Sequence, residues 1–155
     1  VSQRWTPSNE AEQVVFDLIE GWTDLESQRR SLERHLAEDV EWWNGGWPVI
    51  RGRAAALNLL DVFAGLIEMA ESRIEVKHVA SSGNVVFTER VDRLYRADGT
   101  IISEPPIVGI FEVEDGKVRR WREYEDPRHL FPGGKYPDGL ESLLDALLAA
   151  ELRPD

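Results

Sequence analysis

The sequence predicts an α+β domain, with N-terminal helices packed on a curved mixed or antiparallel β-sheet. Three observations carry this reading. Apolar residues in the first half recur every three to four positions, as in Val14, Val15, Leu18, Ile19 and Trp22. From Ile74 onward the period falls to two, and turn signals separate the runs. The length of 155 residues and a hydrophobic content of 42% suit one core, so residues 1–155 are read as a single domain.

The elements follow in order. Thr6-Pro7-Ser8 offers a start for the first helix, and Gly21 interrupts its stripe. A second helix is expected from Asp24 to Ala37, with Leu25, Leu32 and Leu36 as its apolar side. A third runs from Gly52 to Ala70 on Leu57, Leu60, Ala64 and Ile67. Between them, Glu41-Trp42-Trp43-Asn44-Gly45-Gly46-Trp47-Pro48 is too aromatic for a simple linker and too rich in Gly and Pro for a helix. Strands are expected at Ile74–Val79, Val85–Arg96, Ile107–Val113 and Val118–Tyr124. Asp115-Gly116 is the strongest hairpin signal in the chain. A last amphipathic helix is read from Asp138 through Leu140, Leu143, Leu144, Leu147 and Leu148.

Composition narrows the chemistry. A net charge of −11 argues against nucleic acid and anionic membrane as partners. No apolar run approaches a membrane span, and the N-terminal residues are too polar for a signal peptide, which suggests a cytoplasmic protein. With no cysteine, disulfides and thiolate chemistry are gone. His35, His78 and His129 form no ligand motif, so no metal site is expected. Neither a nucleophile elbow nor a glycine-rich phosphate loop is present. Chemistry must rest on carboxylates, Arg, Tyr and Trp.

Along Phe87-Thr88-Glu89-Arg90-Val91-Asp92-Arg93-Leu94, strand parity puts Thr88, Arg90, Asp92 and Leu94 on one face. Both faces mix charged and apolar residues, so parity alone leaves the inward one open. An exposed strand of alternating charge competes here with a pocket lined by Arg90 and Asp92. Along Trp121-Arg122-Glu123-Tyr124-Glu125-Asp126, the residues Arg122, Tyr124 and Asp126 share a face. Asp126 before Pro127 also suits a plain strand-end turn. In Trp42-Trp43-Asn44, a short strand would point Trp42 and Asn44 the same way, whereas Trp43 and Trp47 read as packing. Asn44 equally suits a turn before Gly45-Gly46.

These stretches, with Gly109-Ile110-Phe111-Glu112-Val113 and Asp115-Gly116-Lys117, resemble the limonene-1,2-epoxide hydrolase family, a branch of the NTF2-like (SnoaL-like) folds. The resemblance covers roughly residues 10 to 131. It implies a cone-shaped fold enclosing a deep pocket, and a homodimer formed through the sheet. It also implies that the family's Arg and acid Asp fall on Arg90 and Asp92, its base Asp on Asp126 and its water-holding Asn on Asn44. Trp42 stands where the family has a Tyr. The expected substrates are water and a small hydrophobic epoxide, cyclic or terpenoid, opened to a vicinal diol without a covalent intermediate. No cofactor is implied.

The residue types suit that reaction. Water addition to an epoxide needs a base for the attacking water and an acid for the leaving oxygen. Two carboxyl groups serve both needs when an Arg couples them and they share one proton. Trp42, Leu94, Ile107 and Phe111 are expected in the pocket wall. Two other readings compete. A ketosteroid isomerase-like enzyme would use one carboxylate as base and Tyr124 as oxyanion donor, and a non-catalytic binding module would use the charged residues as structural ion pairs.

Overall fold

Asn9 opens the first helix, α1 (Glu10–Glu20), slightly after the expected start, because its side chain accepts the Glu12 amide at 2.9 Å. The computed structural model describes residues 5–45, 47–131, 133, 135, 138–140 and 142. Asp24 caps α2 (Leu25–His35) through a reciprocal box with Ser27. Gly52, at φ 93°, precedes α3 (Arg53–Ile67), whose Ala56, Leu57, Leu60, Ala64 and Ile67 are buried. Among the described residues no helix is long and apolar enough to cross a membrane.

The second helix ends earlier than expected. Leu36 begins an extended strand, β1 (Leu36–Asn44), that takes in Ala37 and the whole Trp42-Trp43-Asn44 stretch. Leu36 and Val40 are both fully buried. A spacing of four keeps two residues on one face in a helix and in a strand alike, so the pattern could not separate the two. The short β2 (Ile50–Arg51) pairs antiparallel with β1.

The remaining strands are β3 (Glu71–Ser82), β4 (Val85–Tyr95), β5 (Ile101–Ser103), β6 (Pro106–Glu114) and β7 (Lys117–Tyr124). The sheet order is β2-β1-β7-β6-β4-β3, with β5 paired to β4. All pairs are antiparallel except β1 with β7, which makes the sheet mixed. Asp115 and Gly116 turn β6 into β7 with φ of 51° and 71°, the left-handed pair that a tight hairpin needs. Register shifts at Val76/His78 in β3 and at Glu112/Val113 in β6 mark bulges, which bend the sheet.

The core lies between the concave face and the helices, with Val15, Leu18, Leu32, Val86, Phe111, Val118 and Trp121 almost wholly buried. Leu140 joins it from the C-terminal segment. The rest of the helix expected there, including Leu143, Leu144, Leu147 and Leu148, lies outside the described residues. Among the described residues, three α-helices pack on one face of a curved mixed sheet.

Candidate active site

On β4 the alternation resolves cleanly: Thr88, Arg90, Asp92 and Leu94 are buried, and Phe87 and Glu89 are exposed. Arg90 is only 1% exposed, a costly position for a charge unless it is fully paired. It is paired. Its Nε donates to Asp92 Oδ1 at 2.9 Å, Nη1 donates to Thr88 Oγ1 at 3.3 Å, and Nη2 donates to Glu123 Oε1. The Phe111 ring lies against the guanidinium, 5.9 Å from its carbon to the ring centroid.

Glycine makes room for this arrangement. Gly109 on β6 faces Glu123 across the sheet, and a Cβ there would overlap Arg90 Nη1. Gly45 donates its amide to the Glu123 carbonyl at 2.9 Å, and a Cβ on it would come within 2.9 Å of the Glu125 carbonyl oxygen. The ends of β1 and β7 thus close together, with Asn44 and Glu123 in register.

Arg90, Asp92, Asn44 and Glu123 line a cavity whose empty space, open mouth included, is about 630 Å³. Trp42, Asn44, Arg90, Asp92, Leu94, Ile107, Glu123 and Glu125 come from the sheet side. Gln28, Leu59, Leu60 and Phe63 come from α2 and α3, while Trp22, Trp47, Met69 and Leu130 close the sides with Ser72 and Ile74. The Ser72 hydroxyl donates to Gln28 at 3.4 Å, a second buried polar contact within an otherwise apolar wall. Trp42 stacks on Trp121, with centroids 4.5 Å apart and planes 11° from parallel. Its indole N–H is buried without a hydrogen-bond partner among the described residues.

Burial tunes the carboxyls. It pushes Asp92 up to about 6, against the pull of Arg90 and with a further push from Glu123. Burial also works against the Arg90 charge, but Asp92 and Glu123 outweigh it, and the guanidinium pKa rises above its ordinary value. Glu125 rises to about 8, first from burial and next from repulsion by Glu123. Both of its carboxyl oxygens are sealed from solvent and have no hydrogen-bond partner among the described residues.

The structure therefore brings Arg90, Asp92, Asn44, Trp42, Leu94 and Ile107 to one cavity. Two expected residues fall elsewhere. Asp126 follows the end of β7, caps the 3-10 turn Pro127–Leu130 through the Arg128 amide at 3.1 Å, and pairs with the Arg128 side chain at 2.9 Å. That side-chain hydrogen bond holds its carboxyl down to about 2, and Asp126 does not line the cavity. The correction is physical: Glu123, three residues earlier, occupies the place beside Arg90 expected of Asp126. Phe111 is fully buried core beneath Arg90 and Trp121, not wall. Tyr124, the alternative oxyanion donor, is exposed and packs edge-on against Trp43 at 5.3 Å, away from the cavity.

Sequence reasoning missed Glu123, Glu125, Gln28, Ser72 and Trp22. Trp121 held the available signal: a tryptophan in a strand marks its buried face, and Glu123 and Glu125 share its parity.

Comparison with known proteins places the chain as a whole. A 103-residue stretch is 29% identical to epoxide hydrolase EphG of Mycobacterium tuberculosis, spanning 66% of this chain and 66% of that protein, just under two thirds of its length. The structure of an M. tuberculosis LEH-like epoxide hydrolase superposes with a TM-score of 0.64 at 24% identity, covering 92% of this chain and 96% of that one. A SnoaL-like protein from Jannaschia sp. CCS1 gives 0.64 at 17% identity, covering 98% and 99%. These two solved structures share the fold. The limonene-1,2-epoxide hydrolase catalytic domain matches residues 10–134, most of the chain, and the protein belongs to that family.

Proposed function

We propose that the protein hydrolyses a small epoxide to a vicinal diol in one step, with Asp92 as acid, Glu123 as base and Arg90 holding both. One observation carries this reading: two buried carboxyls share a single buried Arg in the lining of a largely apolar cavity. Burial favours a proton on Asp92, which suits it to protonate the epoxide oxygen. Glu123 takes a proton from water, the water oxygen attacks a ring carbon, and the carbon–oxygen bond breaks as Asp92 gives up its proton. Return of the proton from Glu123 to Asp92 resets the site. Asn44 and the Trp42 N–H orient the water, and fixing it beside the ring contributes through proximity. The apolar wall suits a cyclic or terpenoid skeleton.

A single turnover in ¹⁸O-water on a panel of cyclic epoxides tests both parts. The expected result is diol carrying the label in the first turnover. Unlabelled first-turnover diol points to a covalent carboxylate ester, and no diol from any member overturns the reading.

The outer face of the sheet carries exposed Phe87, Val108 and Tyr124. An apolar strip of this kind favours pairing of two copies through the sheet. Sedimentation should give twice the 17.7 kDa chain mass, and a 17.7 kDa species at micromolar concentration rejects the dimer.

A further inference from the structure

Glu125 has no task in the reaction above, yet it lines the same cavity. Its two carboxyl oxygens are closed off from solvent and find no donor or acceptor among the described residues. Asp92 and Glu123 bind Arg90 and Gln28 binds Ser72, while the Trp22 and Trp42 N–H groups on the same cavity are, like Glu125, without a partner among the described residues. A buried, unsatisfied carboxyl disfavours an occupant that is pure hydrocarbon, because such a ligand leaves it unpaired. An occupant with a hydrogen-bonding oxygen pairs with it.

We propose that Glu125 is a specificity-determining residue that hydrogen-bonds a hydroxyl group on the substrate, so that the preferred epoxides are oxygenated rather than plain hydrocarbons. The inference rests on the epoxide hydrolase reading and deepens it. A hydroxyl matches a neutral carboxyl best, since it accepts from the acid O–H and donates to the carbonyl oxygen. Burial keeps Glu125 in that neutral form near pH 7. The position also fits. Glu125 lies two residues beyond Glu123, just past the end of β7, and lines the same cavity as the reacting groups. A site that pairs a substrate hydroxyl rejects the analogue lacking it, because its own polar group is then stranded.

The test compares a ring epoxide bearing one hydroxyl with its methyl isostere on wild type, Glu125→Gln and Glu125→Met. Wild type should favour the hydroxylated epoxide at least ~10-fold in kcat/KM, the worth of one well-placed hydrogen bond. Glu125→Gln should keep the preference, and Glu125→Met should reverse it by losing the hydroxylated substrate and gaining on the methyl one. Equal use of the pair by wild type, or equal losses on both in Glu125→Met, overturns the proposal. Binding of the unreactive cycloalkanol and methylcycloalkane, followed by the fluorescence of Trp22, Trp42 and Trp47, reads recognition without turnover. A hydroxyl preference there that vanishes in Glu125→Met upholds the anchor even if no epoxide is opened. Equal binding of the two rejects it.

Discussion

Arg90 lies in the space that a side chain on Gly109 would fill. A Cβ on Gly109 would overlap Arg90 Nη1, approach the Phe111 ring at 2.9 Å and meet Thr88 Oγ1 at 3.0 Å. The missing side chain on β6 is therefore part of the site, because it lets a guanidinium lie flat across the sheet between two carboxyls.

Gly109→Ala should displace Arg90 from Asp92 and Glu123. The crowding should cost about 1–3 kcal/mol of stability, as for other overpacked cores. Diol formation should fall ~100-fold or more, since both carboxyls lose their positioning. Denaturant midpoints and turnover on one epoxide check this, and near-normal turnover would show that Arg90 tolerates a second position.

Glu123 and Asp126 separate the two candidate bases. Glu123→Gln should lower kcat by ~10²–10⁴, the range for loss of a general base. Asp126→Asn should leave kcat within about twofold, because its carboxyl serves the turn at Arg128. Asp92→Asn combined with Glu123→Gln should be little worse than either alone, as expected for groups that act together. The reverse ranking of Glu123 and Asp126 would restore Asp126 as base.

At the cavity wall Trp42 offers a buried N–H with no partner among the described residues. Trp42→Phe should lose ~10-fold in turnover at saturating epoxide, equivalent to one positioning hydrogen bond of ~1.4 kcal/mol. Trp42→Tyr should retain activity. If Phe matches wild type, Trp42 is wall only.

Stability should decline as pH rises through the weakly acidic range. Asp92 titrates near 6 in the fold against an ordinary 3.8, and Glu125 near 8 against 4.5. Each group binds its proton more tightly folded than unfolded, so its contribution is complete below the unfolded value. It drains away as pH climbs to the folded value. The slope is about 1.4 kcal/mol per pH unit for each group within its window. Between pH 6 and 8 Glu125 carries the trend. Glu112, lowered by its hydrogen bond to Arg122, acts in the opposite sense below its ordinary 4.5, and His35, lowered by burial, opposes the trend below its ordinary 6.5, so the fall is clearest above pH 6.5. Urea midpoints from pH 5 to 8 should fall for wild type, and the limb above 6 should flatten in Glu125→Gln. An unchanged slope in that variant would remove Glu125 as its source.

The first three helices, the Asp115-Gly116 hairpin and the shared face of Arg90 and Asp92 were legible because each rests on local periodicity or turn chemistry. The base was not, because the resemblance set it on Asp126 at the strand end although the parity of Trp121 pointed to Glu123, and a bulge opposite Glu112/Val113 obscures that parity from the start of the strand. Val118 faces inward, Arg119 and Arg120 are both exposed, and Trp121 faces inward again. Parity therefore flips within β7. Counting by twos from Val118 joins Arg122, Tyr124 and Asp126 to the buried side, whereas the fold buries Trp121 and Glu123. The parallel union of β1 with β7 was hidden for another reason: nothing local in either strand announces a partner so distant in the chain.

That union also sets when the site comes into being. β7 follows every other strand in sequence, and β1 precedes them all. Before β7 arrives, β1 has only the two-residue β2 to pair with along the sheet. Closing so long a loop carries an entropic cost that local contacts repay late, and non-local pairing of this kind slows folding. A nascent chain stopped at the Asp115-Gly116 turn holds Arg90 and Asp92 but has neither Glu123 nor the strand that aligns Asn44. Catalytic competence is thus acquired in the final closure, and a chain that misses it leaves Trp42 and Trp43 on an open strand edge, the kind of surface that seeds aggregation.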